Sequence, residues 1–264
     1  AEHVKIFLET IIKTDEYPLT RLKSTNATEM SKVLENSYRA MNISFIVEWS
    51  RYAEEAGVNL FEVVNAIRMR PTHKNIMLPG IGVGGYCLTK DPLLASWSRK
   101  NLIGSQDNLS FSEYAVAIND KMPEYAFNFL ESHFLNETIN SKNIIMYGVS
   151  YAPDIGDTRY SPVELLYKKL LAKNCNIDLH DPFINFWEEM GVKVNTNISS
   201  IKMEADVVIF STGHSYYKNN SELISKLLDL NNLIIFDTIG VLDDSEIVIL
   251  QKKHTVKVLG RGDI

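Results

Sequence analysis

Hydrophobic positions along the chain follow two different periods, one on each side of a short polar stretch at 136–142 (NETINSK). Before it, apolar residues recur every three or four positions. Met30, Val33, Leu34, Met41, Phe45, Ile46 and Trp49 keep helical spacing through one long segment. Asn26 followed by Glu29 predicts its start, because the Asn side chain can accept the orphan amide three residues on. Gly57 predicts its end. A helix of about 30 residues far exceeds the globular mean of about 11–12, so it either crosses a whole domain or forms a seam between two copies. Asn59 with Glu62 repeats the cap and opens a second helix that Pro71 closes. Asp91-Pro92 predicts another helix start, with Pro at the favoured first position and Asp91 as its cap. A further helix is expected from 112 to 134, bent at Pro123. Upstream, 3–12 (HVKIFLETII) reads as an amphipathic helix and 17–23 (YPLTRLK) as a strand. Such a pair cannot bury its own faces, so residues 1–23 are expected to be the end of another domain.

After residue 142 the period shortens. Strand-like runs at 143–147 (NIIMY), 176–180, 206–211 (DVVIFS), 232–236 (NLIIF) and 255–259 are separated by amphipathic helical stretches, the clearest being 162–173 (PVELLYKKLLAK). Strands alternating with helices predict a doubly wound parallel sheet. The expected fold class is therefore α/β, with an all-helical domain at 24–137 followed by a parallel-sheet domain at 138–264.

Composition changes this picture little. Of 264 residues, 45% are apolar and 23% charged, which fits a folded chain rather than a disordered one. The net charge of -6 argues against a nonspecific nucleic-acid binder, since a phosphate polymer is repelled on average. Cys87 and Cys175 are too few and too far apart for a disulfide framework or a zinc knuckle, so no metal is expected and a reducing, cytoplasmic setting is the default. No run approaches the roughly 20 apolar residues of a membrane span, and no signal segment opens the chain.

Candidate chemistry concentrates in four places. Gly80, Gly82 and Gly85, in 78–87 (LPGIGVGGYC), formally match GxGxxG. A dinucleotide fingerprint needs a strand before it and a helix opening at its last glycine. Pro79 and helical segments precede this loop, and the next helix is expected only at residue 92. The glycines are better suited to letting backbone approach a ligand, with Cys87 presented beside them near Lys90. A small buried core residue is the commoner fate of a cysteine, and Cys175, at a strand edge, fits it. Lys32 and Asn36 lie four apart and share one helix face, although a solvated lysine is the ordinary reading. In the second half, 148–162 (GVSYAPDIGDTRYSP) follows the first strand, where doubly wound sheets bind ligands. Arg159 near a helix start suits a phosphate. His214 follows a later strand and faces the same crevice, or else packs a loop.

Taken together, 27–49 (ATEMSKVLENSYRAMNISFIVEW), 79–92 (PGIGVGGYCLTKDP), 118–123 (INDKMP), 147–162 (YGVSYAPDIGDTRYSP) and 206–215 (DVVIFSTGHS) resemble the UDP-glucose/GDP-mannose dehydrogenase family. The resemblance implies a helical central domain that forms a homodimer and a C-terminal Rossmann-like domain that binds a nucleotide sugar. It makes residues 1–23 the tail of an NAD-binding domain, and the chain alone is then expected not to turn over. It implies NAD as cofactor, a UDP-sugar as substrate, and oxidation of the sugar C6 alcohol to a carboxylate in two steps. Cys87 matches the nucleophile, Lys32 the oxyanion-stabilising cation, Asn36 its hydrogen-bonding helper and Asp91 the group that holds the hydrolytic water. Lys32, Asn36, His73, Leu78, Gly80, Gly82, Gly84 and Tyr151 would contact the substrate, and Arg159 the NAD pyrophosphate.

Two positions depart from the family pattern. Ala152 stands where a lysine is common, and Thr238-Ile239-Gly240 where a basic residue is usual. Arg70, His73 and Lys74 are the candidate replacements, from the same chain or across the dimer. The GVGGYC and TGHS wording is closer to the N-acetylhexosamine branch than to the UDP-glucose branch. The rival reading is a nucleotide-sugar-binding dimeric protein without catalysis.

Overall fold

The computed structural model describes residues 2–134, 138–201 and 204–264. The expected border between domains at 137 falls on residues 135–137, outside the described ones. The first half is helical: α1 (Glu2–Glu9), α2 (Thr25–Ala56), α3 (Leu60–Arg68), α4 (Tyr86–Asn101), α5 (Ser110–Asp120) and α6 (Met122–Ser132). Then come β1 (Asn143–Tyr147), α7 (Val163–Ala172), β2 (Asn176–His180), β3 (Phe186–Trp187), β4 (Val192–Lys193), β5 (Val207–Phe210), α8 (Ser221–Asp229), β6 (Ile234–Asp237), α9 (Asp244–Leu250) and β7 (Thr255–Val258).

Several boundaries differ from the sequence expectation, each for a local reason. Residues 17–23 form no strand, having no neighbouring strand to pair with, and α1 buries none of its residues. The cap of α2 is Ser24, whose hydroxyl accepts from Ala27 N at 3.1 Å, so Asn26 lies inside the helix. Gly57 ends α2 at φ 70, and Asn59 caps α3 by accepting from Phe61 N and Glu62 N, both as read from sequence. The helix expected over 112–134 is two helices that break at Lys121, with Pro123 in the first turn of the second. The largest difference is α4, which opens at Tyr86 and carries Pro92 inside it.

The apolar stripe of α2 points outward. Met30, Leu34, Tyr38, Met41, Phe45, Trp49 and Tyr52 are exposed, Met30 at 67% and Phe45 at 53%. The buried face is made of small residues instead: Ser37, Ala40, Ser44, Ser50 and Ala53, with Asn36, Ile46 and Val47. Small side chains let α4 and α5 approach α2 closely, and Asn119 of α5 reaches across to donate to Ala40 O at 3.0 Å. Val33 and Leu34 therefore do not mark a buried stripe next to Lys32; Leu34 is 65% exposed.

The second half is a five-stranded, all-parallel sheet in the order β2-β1-β5-β6-β7, with a small β3-β4 hairpin beside it. The register pairs Tyr147 with both His180 and Phe210. Both faces are covered, as a parallel sheet requires. Ile144, Met146, Val207 and Ile209 pack towards α6, α7 and Trp187, while Ile145, Tyr147, Val208 and Phe210 pack towards α8 and α9. From β1 the chain moves outward to β2, then returns to the other side of β1 for β5. Strand order thus reverses between β1 and β5, and a crevice opens beyond their carboxyl ends.

The last residues join the two halves. Gly260 N donates to Glu54 Oε1 at 2.6 Å, Gly262 N to Val58 O at 3.0 Å, and Leu60 N to Gly260 O at 2.9 Å. A Cβ on Gly262 would sit 2.4 Å from the carbonyl oxygens of Ala53 and Glu54, so only glycine fits there. Tyr125 of α6 donates to the other oxygen of Glu54, and the Arg51 guanidinium lies 4.6 Å over the Tyr125 ring. Burial pushes the Glu54 carboxyl above its usual range, against these hydrogen bonds and the nearby Arg51.

Candidate functional site

Local geometry at 78–91 follows from two glycines. Gly84 and Gly85 lie flat against Tyr151, where a Cβ would meet the Tyr151 side chain at 2.5 Å and 2.9 Å respectively. Gly85 has φ +78 and caps α4, so the helix starts at once. The last glycine of the formal GxGxxG run does open a helix, contrary to the sequence expectation. The preceding strand is still missing, since 75–80 is coil.

This early start puts Cys87 in the first turn of α4, where backbone N–H groups are unbonded and the helix dipole is positive. Cys87 is exposed and a free thiol. Asp91 is not a cap. It lies one turn further along α4, is buried, and accepts from Asn36 Nδ2 of α2 at 2.6 Å. Its other oxygen faces Lys90 Nζ at 3.4 Å, and that ammonium also covers the Tyr86 ring at 4.6 Å. Two motifs 55 residues apart are thereby joined by one hydrogen bond. Lys32 is one turn from Asn36, exposed, and without an ion pair among the described residues. At 1.5 Å of rise per residue, Lys32 and Cys87 each stand about 6 Å along their helices from the bonded pair.

The Tyr86 and Tyr160 rings lie 5.6 Å apart. Both rings stand in the wall of one groove, which neither Cys87 nor Arg159 lines. Arg159 is exposed and forks onto Asp157, Nη2 to Oδ2 at 2.7 Å and Nε to Oδ1 at 3.0 Å. On one side of the Gly-rich loop is a broad groove of about 920 Å3, with Tyr86, Lys90, Leu93, Trp97 and Tyr160 in its walls. On the other, a smaller cleft of about 230 Å3 is lined by Gly80, Ile81, Gly82, the 150–153 turn, the 211–213 turn, Lys218 and Ile239. This cleft sits beyond β1 and β5, where strand order reverses. Gly80, Gly82 and Tyr151, expected to contact substrate, are among the residues that line it. Arg70, His73, Lys74 and Leu78 line neither space; His73 ends an exposed 3-10 turn.

Behind the cleft, a buried polar hub fixes its turns. Asp181, fully buried, accepts from Val149 N at 2.9 Å, Ser150 N at 3.1 Å, Ser150 Oγ at 3.0 Å, Phe183 N at 2.9 Å and His214 Nε2 at 3.0 Å. His214 Nδ1 accepts from Asp154 N at 2.9 Å, which leaves Nε2 as the nitrogen that donates to Asp181. Asp154 in turn accepts from Ser215 N and Ser215 Oγ. His214 does not face the crevice; it is fully buried and braces the loops that do. His180, also fully buried, stays neutral because burial pulls its pKa down to about 4. Sequence reasoning missed this hub and Lys218, although the switch-point rule singles out every residue after β1 and β5. Cys175, as expected, is buried, with Sγ donating to Ile139 O at 3.1 Å.

Comparison with known proteins agrees with this architecture. The UDP-glucose/GDP-mannose dehydrogenase family central domain matches residues 26–121, and the UDP binding domain of the same family matches 145–244. The chain is similar to the UDP-N-acetyl-D-mannosamine dehydrogenase of Methanococcus vannielii, 32% identical over 247 residues, 91% of this chain and 54% of that one. It is also similar to that of Methanocaldococcus jannaschii, 29% identical and covering 100% of this chain and 57% of the relative. Among solved structures, the NDP-N-acetyl-D-galactosaminuronic acid dehydrogenase of Methanosarcina mazei Go1 superposes with a TM-score of 0.79 at 26% identity, covering 91% of this chain and 52% of that one. The chain thus spans about half the length of the relatives it matches. Two consecutive domain matches, in the order of the helical bundle and the parallel sheet, place this chain in the UDP-glucose/GDP-mannose dehydrogenase family.

Proposed function

We propose that the protein carrying this chain oxidises the C6 alcohol of a UDP-sugar, of the N-acetylhexosamine kind, to the carboxylate. The observation that carries this reading is the Asn36–Asp91 hydrogen bond. It ties the helix bearing Lys32 to the helix bearing Cys87 and leaves both of those side chains exposed.

In this mechanism the alcohol is first oxidised to the aldehyde. The Cys87 sulfur adds to the aldehyde carbon, forming a C–S bond while the carbonyl oxygen gains charge. The Lys32 ammonium, which makes no ion pair among the described residues, stabilises that oxyanion. Oxidation of the resulting thiohemiacetal gives a thioester, and water displaces the thiolate to release the uronate. A thiolate suits both roles, as nucleophile and as leaving group. Asp91, fixed by Asn36 and Lys90, holds the water. The two-electron acceptor would be NAD, one molecule of which would supply the acceptor for each of the two oxidations. The residues present fit one part of it: Arg159 offers an exposed guanidinium, held by Asp157, that suits a pyrophosphate.

The exposed stripe on α2 supports a homodimer through that helix. Phe45, Trp49 and Tyr52 form a continuous aromatic run, with ring centroids 6.0 Å and 5.8 Å apart. Sedimentation should give about twice the chain mass of 30.0 kDa; a monomer at tens of micromolar discards the dimer. The activity is tested by incubating the protein with NAD and UDP-N-acetylhexosamines, with about two NADH expected per uronate formed. Tight UDP-sugar binding with no NADH produced would instead support a binding protein without catalysis.

A further inference from the structure

The small cleft has an electrostatic character that its position alone does not give it. No carboxylate lines it, and Ala152 and Ile239 on its walls are uncharged. The N–H groups of Ala152 and Gly213, two of its turns, have no acceptor among the described residues. Lys218 is the single charged side chain among the lining residues, and it makes no ion pair among the described ones. Its backbone is held firmly. Lys218 N donates to Ser215 O at 3.2 Å, and the preceding Tyr217 is fully buried. Ser215 is anchored to Asp154, and Asn220 caps α8 by accepting from Leu223 N. The stem of Lys218 therefore starts from a fixed point at the cleft rim, and only its head is free to follow a ligand.

We propose that Lys218 is the charge anchor of the nucleotide diphosphate in this cleft, so that the cationic part of diphosphate recognition rests on one lysine after β5. This rests on the nucleotide-sugar reading above. Backbone N–H groups from the two turns supply neutral donors, and the ammonium supplies the charge-assisted bond to a phosphate oxygen. The sugar end would leave the cleft past Gly82 towards α4. Because one charge-assisted hydrogen bond corresponds to roughly ten- to a hundredfold in affinity, removing it has a measurable effect that uridine, lacking phosphates, does not share.

The test is calorimetric titration of the full chain, wild type and Lys218→Met, with UDP and with uridine, and of Lys218→Arg with UDP. The expected result is a UDP affinity at least about tenfold weaker in Lys218→Met, an unchanged uridine affinity, and substantial recovery in Lys218→Arg. Thermal melting of both variants checks that the fold is intact. Unchanged UDP affinity in a folded Lys218→Met protein overturns the assignment of Lys218 alone. Equal loss of UDP and uridine overturns it too, since it would mean the lysine shapes the cleft rather than meeting phosphate. Absence of UDP binding to the wild type would overturn the nucleotide-sugar reading itself.

Discussion

Replacing Cys87 with Ser in the protein that carries this chain should lower uronate formation by at least about a thousandfold, the scale of losing a covalent nucleophile. A serine hydroxyl keeps the volume of the thiol almost unchanged, so substrate binding and the helix start at Gly85 should survive. What it lacks is the easily formed anion that the proposed mechanism needs, both to attack the aldehyde and to depart from the acyl intermediate. The structure supplies an internal control. Cys87 is exposed and Cys175 is buried, with its thiol engaged by Ile139 O and its pKa pushed up by burial. Iodoacetamide should therefore label Cys87 first, and bound UDP-sugar should slow that labelling. Uronate production at the wild-type rate by Cys87→Ser would remove the residue from the mechanism.

The second large effect concerns the fold behind the cleft. Asp181→Ala should destabilise the chain by about 3–5 kcal/mol, as expected when one member of a buried, hydrogen-bonded polar group is deleted. Three backbone N–H groups, the Ser150 hydroxyl and His214 Nε2 would lose their acceptor at once. For a chain of this size the melting temperature should drop by about 10 °C. Burial alone would raise the Asp181 carboxyl, yet the bonds from His214, Val149 and Phe183 hold it below its usual value of 3.8. The carboxylate's contribution is therefore complete above that value and disappears as pH falls through the lower, folded-state one. The acid limb of the stability profile should flatten in the variant. Melting at the wild-type temperature would show that the hub is not what fixes the 149–154 loop.

Much of this architecture is legible in the sequence because local physics decides it. The strands of the parallel sheet are short apolar runs bounded by turns, and Gly57 and Asn59 end and begin helices through their own backbone and side-chain chemistry. Where the sequence misleads, a distant contact has outvoted a local rule. Pro92 favours a helix start, but Gly84 and Gly85 packed on Tyr151 set the start of α4 six residues earlier. Ser24 and Asn26 are equally competent caps, and their sequence alone does not rank them. The apolar stripe of α2 has the same period whether it faces a core or another copy, so only the packing of Ala40 and Ser44 against the other helices distinguishes the two. The pairing of Asn36 with Asp91 was visible neither in spacing nor in the family motifs, because it depends on how two helices pack. His214 followed a strand as a site residue would, yet three-dimensional burial made it a brace.

The junction made by the last residues of the chain has a mechanical consequence. With Gly262 pressed onto the end of α2 and Gly260 locked to Glu54, helical bundle and sheet cannot pivot about this point without breaking the hydrogen bonds of three backbone amides. The long helix is then a stiff lever welded to the sheet at one end. A pull on the long helix would therefore meet these hydrogen bonds, just past the carboxyl end of β7, before it reached the crevice.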